Sequence, residues 1–174
     1  MRRGIKPFVV CLCLCAWLMS GCGYHLPGRG SALPDDIEKI YVEVLGNRTT
    51  EPFIENKLTT EVRDRFARRP RFEIVSDRSR ADAVLSGNIT HYSARAVAYD
   101  ENDDIREYRA AMTAEFRFER PDGSELFWKG SVSWDEEFMA HEDRARQDNY
   151  ETEAQDELSF RLATELFNRI VDNF

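Results

Sequence analysis

Tyr108-Arg109-Ala110-Ala111-Met112-Thr113-Ala114-Glu115-Phe116-Arg117-Phe118-Glu119 is the stretch that decides the fold. Tyr108, Ala110, Met112, Ala114, Phe116 and Phe118 share one parity; Glu107, Arg109, Thr113, Glu115, Arg117 and Glu119 share the other. Successive side chains of a strand point to opposite faces. The alternation therefore predicts an antiparallel strand over 105–120 with one covered and one wet face. Pro121-Asp122-Gly123 follows as a turn, proline presetting φ and glycine supplying a positive one. A return strand then carries Leu126, Trp128, Gly130, Val132 and Trp134 on one side. On the other flank, 83–99 reads as the preceding strand, joined through the acidic tip Asp100-Glu101-Asn102-Asp103-Asp104.

Upstream, Ile40, Val42 and Val44 alternate with Lys39, Tyr41 and Glu43, the pattern of a strand with one apolar face. Thr50 is the expected N-cap of a helix, with Pro52 in its first turn. Ile54, Leu58, Val62 and Phe66 form a four-residue stripe on that helix, which stops before Pro70. Phe72-Glu73-Ile74-Val75 reads as a short strand, so strand, helix and strand form a βαβ crossover with parallel outer strands. The segment 135–151 is polar and reads as irregular, with room for an early start of the last helix. Thr152-Glu153-Ala154-Gln155 has capping-box spacing. Leu158, Leu162, Ala163, Leu166, Phe167, Ile170 and Phe174 then give a helix with a broad apolar face. The fold class expected is α+β: a two-layer sandwich with two helices on one face of a mixed, largely antiparallel sheet.

The N-terminus speaks of address. Arg2, Arg3 and Lys6 precede an apolar run from Pro7 to Met19, the pattern of a secretory signal peptide and too short for a membrane span. Met19-Ser20-Gly21-Cys22 resembles the bacterial lipobox, with Met where Leu is usual, so Cys22 is the expected lipid attachment site and first mature residue. The expected organisation is a signal peptide over 1–21, an anchor and linker over 22–36, and one domain over 37–174. Cys11, Cys13 and Cys15 would leave with the signal and Cys22 would be acylated, so no thiol remains for a disulfide, a metal or a nucleophile. The formal net charge is −8, and losing Arg2, Arg3 and Lys6 makes it three units more negative. Such a chain is repelled by nucleic acid and gains nothing from anionic headgroups. Attachment to a membrane would rest on N-terminal acyl chains, each buried methylene contributing about 0.8 kcal/mol.

No catalytic pattern emerges. His25, His91 and His141 are scattered, and His141-Glu142 lacks the second histidine of a zincin. Asp100, Asn102 and Asp104 stand at positions one, three and five of a calcium loop. Ile105 replaces its glycine and Ala111 its bidentate glutamate. No phosphate loop, dinucleotide fingerprint or nucleophile elbow is present. The expectation is a protein that is not an enzyme and holds no cofactor or metal. Phe116, Phe118, Trp128 and Trp134 are expected in the core, an acyl-chain groove being the other reading.

Gly21-Cys22-Gly23-Tyr24-His25-Leu26, Leu33-Pro34-Asp35-Asp36-Ile37, Ile40-Tyr41-Val42-Glu43-Val44 and Asn47-Arg48-Thr49 together resemble the lipopolysaccharide-assembly lipoprotein family LptE. Glu51-Pro52, Leu58-Thr59-Thr60-Glu61-Val62, Ala81-Asp82-Ala83-Val84-Leu85-Ser86-Gly87 and Glu107-Tyr108-Arg109 extend the likeness along nearly the whole chain. The resemblance implies an outer-membrane lipoprotein that plugs the large β-barrel LptD, assists its assembly and binds lipopolysaccharide. Gly23 after the acylated cysteine agrees with outer-membrane sorting. Family members meet lipopolysaccharide phosphates through basic loop residues at the hairpin tip and before the last helix. Here the tip is acidic, and the candidates carried over are Arg106, Arg109, Arg144 and Arg146. Two other readings stay open: a lipid-anchored periplasmic lipid carrier, and a scaffold lipoprotein of another envelope complex.

Overall fold

The alternating stretch becomes the central strand of the three long ones in a six-stranded sheet. The structure is a computed structural model, and it describes residues 33–171. In chain order the elements are β1 (Lys39–Val42), β2 (Gly46–Asn47), α1 (Ile54–Ala67), β3 (Glu73–Ile74), β4 (Ala83–Tyr99), β5 (Ile105–Glu119), β6 (Leu126–Met139) and α2 (Arg144–Val171). Strand order is β3-β1-β4-β5-β6, with β2 also pairing β4. The pairs β1–β3, β1–β4 and β2–β4 are parallel, while β4–β5 and β5–β6 are antiparallel. This is the expected α+β sandwich of two helices on a mixed sheet. The expected signal peptide, Cys22, the first part of the expected linker and Phe174 of the expected last helix lie outside the described residues.

One face of β5 meets the helices. Ala110, Met112, Ala114, Phe116 and Phe118 are all buried there, with Leu58, Val62 and Phe66 of α1 and Leu158, Leu162, Leu166 and Phe167 of α2. Phe66 sits at the junction, its ring centroid 5.0 Å from Phe167, 5.8 Å from Phe72 and 6.2 Å from Phe118. Gly87 makes this packing possible: a Cβ there would lie 2.8 Å from the Phe116 ring and 2.5 Å from the Glu115 carbonyl oxygen. Leu33 and Ile37 are also in the core, so packing begins inside the segment expected as linker.

Four local expectations are corrected. Val44 was expected beside Ile40 and Val42, yet it is 63% exposed and Leu45 is buried instead. Val42 pairs with Leu85 and Gly46 with Asn88, so four residues on one side span three on the other. The extra residue reverses the parity, as a bulge does. Thr50 does not cap α1. Phe53 precedes the helix in the left-handed region at φ 64° with no side-chain cap. The entry is organised by Asn47, whose Oδ1 accepts from the Thr49 N–H at 2.8 Å and whose Nδ2 donates to the Glu51 carbonyl at 2.7 Å and Glu55 Oε2 at 2.9 Å.

The return strand differs from its simple alternation at its start. Phe118 pairs with Trp128 but Glu119 with Leu126, a register shift that leaves Leu126 exposed and sets Phe127 against Phe118, centroids 5.6 Å apart. Finally, 135–151 is irregular only over 140–143, and the last helix does start early. β6 runs on to Met139 and α2 begins at Arg144. Asp143 receives its first turn, its Oδ1 accepting from the Arg146 N–H at 3.0 Å and its carbonyl from Gln147 at 3.0 Å. Thr152 is interior to α2, its hydroxyl donating to the Asp148 carbonyl at 2.8 Å. Polarity misleads here because an edge strand buries little and an exposed helical turn buries less.

Candidate interaction surface

The face of β4, β5 and β6 turned away from the helices is a polar surface of regular structure. Its rungs follow from register: Ser86–Arg117–Lys129, Asn88–Glu115–Ser131, His91–Thr113–Ser133, Ser93–Ala111–Asp135 and Arg95–Arg109–Glu137. These side chains are short and hydroxylated in the middle and charged toward both ends. Both signs are interspersed. No described helix is long and apolar enough to cross a membrane.

Arg109 is held on this face. Its Nη2 lies 2.6 Å from Glu137 Oε1 and its Nε 3.6 Å from Asp135 Oδ2. The Glu137 hydrogen bond keeps the guanidinium even more basic than usual. Arg95 stands opposite Arg109 in the register and has no hydrogen-bond or ion-pair partner among the described residues. Sequence reading missed Arg95. The signal for it was its parity within β4, which places it on the same wet face as Arg109 once the bulges are counted.

Arg106 lies elsewhere. It borders a cleft of about 590 Å³ between the β4–β5 tip and the β6–α2 connection, together with Asp100, Ile105, Tyr108, His141 and Gln147. The Ala140 N–H donates to the Arg106 carbonyl at 2.8 Å, and the His141 N–H donates to Gln147 Oε1 at 2.8 Å, so the two segments are tied. Asp103, Asp104 and Glu142 also line this cleft. Asp100 Oδ1 accepts from the N–H groups of Asn102 at 2.7 Å and Asp104 at 3.0 Å, which hold its carboxyl below the ordinary range. The tip is a self-bonded turn whose carboxylate is spent on its own backbone.

Arg144 and Arg146 occupy the first turn of α2 and are exposed. Arg146 Nη1 lies 3.4 Å from His141 Nε2, and His141 Nδ1 accepts from the Asp143 N–H at 2.9 Å. The four arginines are therefore divided: Arg109 on the open sheet, Arg106 in the cleft, Arg144 and Arg146 on the helix start next to it.

Between the layers a second polar group joins β4, α2 and the loop before α1. Tyr92 donates to Glu151 Oε1 at 2.9 Å, and Gln155 Nε2 donates to Glu51 Oε1 at 2.8 Å and to the Tyr92 oxygen at 3.3 Å. Burial pushes the Tyr92 phenol up. Beneath the helices the phenylalanine cluster fills the interior, and Phe116 and Phe118 belong to it. Trp134 does not; it is 41% exposed, with the Arg161 guanidinium 5.9 Å from its ring. No group of three or more His, Cys, Asp or Glu residues suited to a metal occurs among the described residues.

The family model LptE, lipopolysaccharide-assembly, matches residues 37–172. No curated protein matches the sequence. Solved structures of low identity share the fold. The uncharacterized lipoprotein B from Nitrosomonas europaea superposes with a TM-score of 0.55 at 13% identity, covering 85% of this chain and 90% of that one. A hypothetical protein from Chlamydia trachomatis gives 0.53 at 9% identity, over 77% and 95%. The PelC dodecamer from Paraburkholderia phytofirmans gives 0.51 at 12% identity, over 83% and 96%.

Proposed function

Because the chain belongs to the lipopolysaccharide-assembly family LptE, we propose that it is an outer-membrane lipoprotein, acylated at Cys22, that plugs an LptD-type β-barrel. In that place it assists barrel assembly and the insertion of lipopolysaccharide into the outer leaflet. It acts by binding and not by covalent chemistry. The observation that carries this reading is the two-sidedness of the long sheet. One face is sealed by α1 and α2; the other is open, charged and hydroxylated. A barrel lumen is polar, so a plug needs that second face as much as the first.

The lipid-carrier alternative asks for an apolar groove under the helices. That volume holds Phe66, Phe72, Phe118 and Phe167, so the rival reading lacks its site among the described residues. The scaffold alternative shares the open face and differs in having another partner and no affinity for lipopolysaccharide. Affinity purification of the lipidated protein from outer membranes in mild detergent separates them. A stoichiometric large β-barrel protein is expected; its absence would overturn the plug reading.

Lipopolysaccharide contact is assigned to Arg144 and Arg146, with Arg106 at the adjoining cleft. Arg109 is assigned a lesser part, since Glu137 and Asp135 already neutralise it. Arg144→Glu combined with Arg146→Glu is expected to weaken lipopolysaccharide binding at physiological salt while leaving the thermal transition in place. Unchanged binding removes these two residues as the site.

A further inference from the structure

β6 is the free edge of the sheet, paired along its length with β5 alone. The hydrogen bond from the Ala140 N–H to the Arg106 carbonyl, 2.8 Å, sets the phase of its ladder. In an antiparallel pair, residues that exchange backbone hydrogen bonds alternate with residues that do not. Phe138, Glu136, Trp134 and Val132 therefore turn their backbone groups toward β5, while Met139, Glu137, Asp135, Ser133 and Ser131 turn theirs outward. An independent contact agrees: Arg169 Nη1 donates to the Ser131 carbonyl from outside at 2.8 Å. From Ser133 to Met139 the outward N–H and C=O groups have no partner among the described residues.

Such an edge is a template for another strand. What lies along it is specific. A groove of about 450 Å³ runs between the edge and the first half of α2, floored by Phe138, Tyr150 and Ala154 and walled by Glu136, Glu153 and Glu157. No cationic side chain lines it; Glu157 is paired with Arg161 at 2.6 Å along α2, while Glu136 and Glu153 have no ion pair among the described residues. A second copy of this acidic chain would bring its own Asp135, Glu136 and Glu137 against these carboxylates, and like charges across a strand pair destabilise it.

We propose that the β6 edge takes up an extended, basic segment of a partner protein as a seventh strand. The segment spans roughly seven residues, a length of about 23 Å at the rise of a strand. Its backbone pairs with the outward groups of Ser133, Asp135, Glu137 and Met139. Its lysines or arginines, at alternate positions, face α2 and meet Glu136 and Glu153. Strand addition supplies affinity through the main chain and selectivity through alternate side chains. The inference goes beyond the barrel reading and does not depend on it.

The test uses the full lipidated chain in detergent and three labelled synthetic heptapeptides: alternating lysine and valine, alternating glutamate and valine, and the lysine peptide with alternate backbone amides N-methylated. The lysine peptide should bind by fluorescence anisotropy, and the other two should bind about tenfold or more weakly, since each lacks one half of the recognition. Hydrogen exchange should slow at Ser133, Asp135, Glu137 and Met139. Glu136→Lys with Glu153→Lys should lose about tenfold or more in affinity for the lysine peptide. Equal binding of the methylated peptide, equal binding of the glutamate peptide, protection confined to other strands, or no binding would each overturn the proposal. The methylation arm leaves the protein unaltered, so it stands even where the double variant fails to fold.

Discussion

The two faces of β5 are built from one stretch of chain and behave as different materials. On the inner face, Ala110, Met112, Ala114, Phe116 and Phe118 are within 2% of complete burial and touch both helices through the phenylalanine cluster. On the outer face, Arg109, Thr113, Glu115 and Arg117 stand in register with β4 and β6 under no helix; Arg109 pairs with Glu137 of β6 and Arg117 with Glu119 of its own strand. The inner face holds the domain together, because each buried aromatic contributes both transfer energy and close contacts. The outer face contributes little to stability, since exposed ion pairs such as Arg109–Glu137 are screened by solvent and pay the entropy of holding two long side chains together. Its residues are free to be chosen for a partner.

The largest effect expected is on the inner face. Phe118→Ala removes a fully buried ring at the junction of sheet and helices and should cost about 3–5 kcal/mol in urea unfolding. A loss below about 1 kcal/mol would break the contrast. Gly87→Val sharpens it from the other direction, because the added Cβ meets the Phe116 ring and the Glu115 carbonyl. Overpacking of this kind should cost about 1–3 kcal/mol in the same assay.

The outer face should respond oppositely. Glu115→Lys is expected to move stability by no more than about 0.5 kcal/mol, while reducing the barrel protein recovered on affinity purification. A large stability change with full recovery would mean that the open face is structural.

The smallest effect is electrostatic and lies at the end of β5. Arg120 Nη2 sits 2.8 Å from Asp36 Oδ2, and that hydrogen bond holds the Asp36 carboxyl below the ordinary range. A depressed folded-state value means stabilisation that is present above the unfolded carboxylate pKa and lost as pH falls through the folded one. The urea midpoint should therefore decline on the acid side of about pH 4. Asp36→Asn should lower the midpoint slightly at neutral pH and make the acid decline shallower; an unaltered profile would show that the pair is idle.

Legibility followed the strength of the apolar signal. Long elements with one buried face were readable: β4 and β5 to within a residue, the stripe Ile54, Leu58, Val62 and Phe66, and the apolar face of α2. Where polar residues take regular structure, the signal vanished. Asp135, Glu136 and Glu137 read as loop because their strand is an edge. The partners of Arg109 were hidden for that reason, since its ion pairs need Glu137 placed opposite by the β5–β6 register. Val44 and Leu126 were misplaced by single-residue shifts that a two-residue period does not reveal.

What the sequence by itself determined is the architecture and the family. Alternation in β5, the helical stripes and the short βαβ crossover leave one economical way to bury the apolar residues, and many small matches along the chain accumulate into a family likeness. What only the tertiary structure decided is which charges are spent and which are free. Arg109 is neutralised across β5–β6, Asp100 is consumed by its own turn, Arg95 stands unpaired, and the backbone of β6 is unpartnered among the described residues. Burial is additive along a chain and can be read from it, whereas pairing depends on register and distance between segments far apart in sequence.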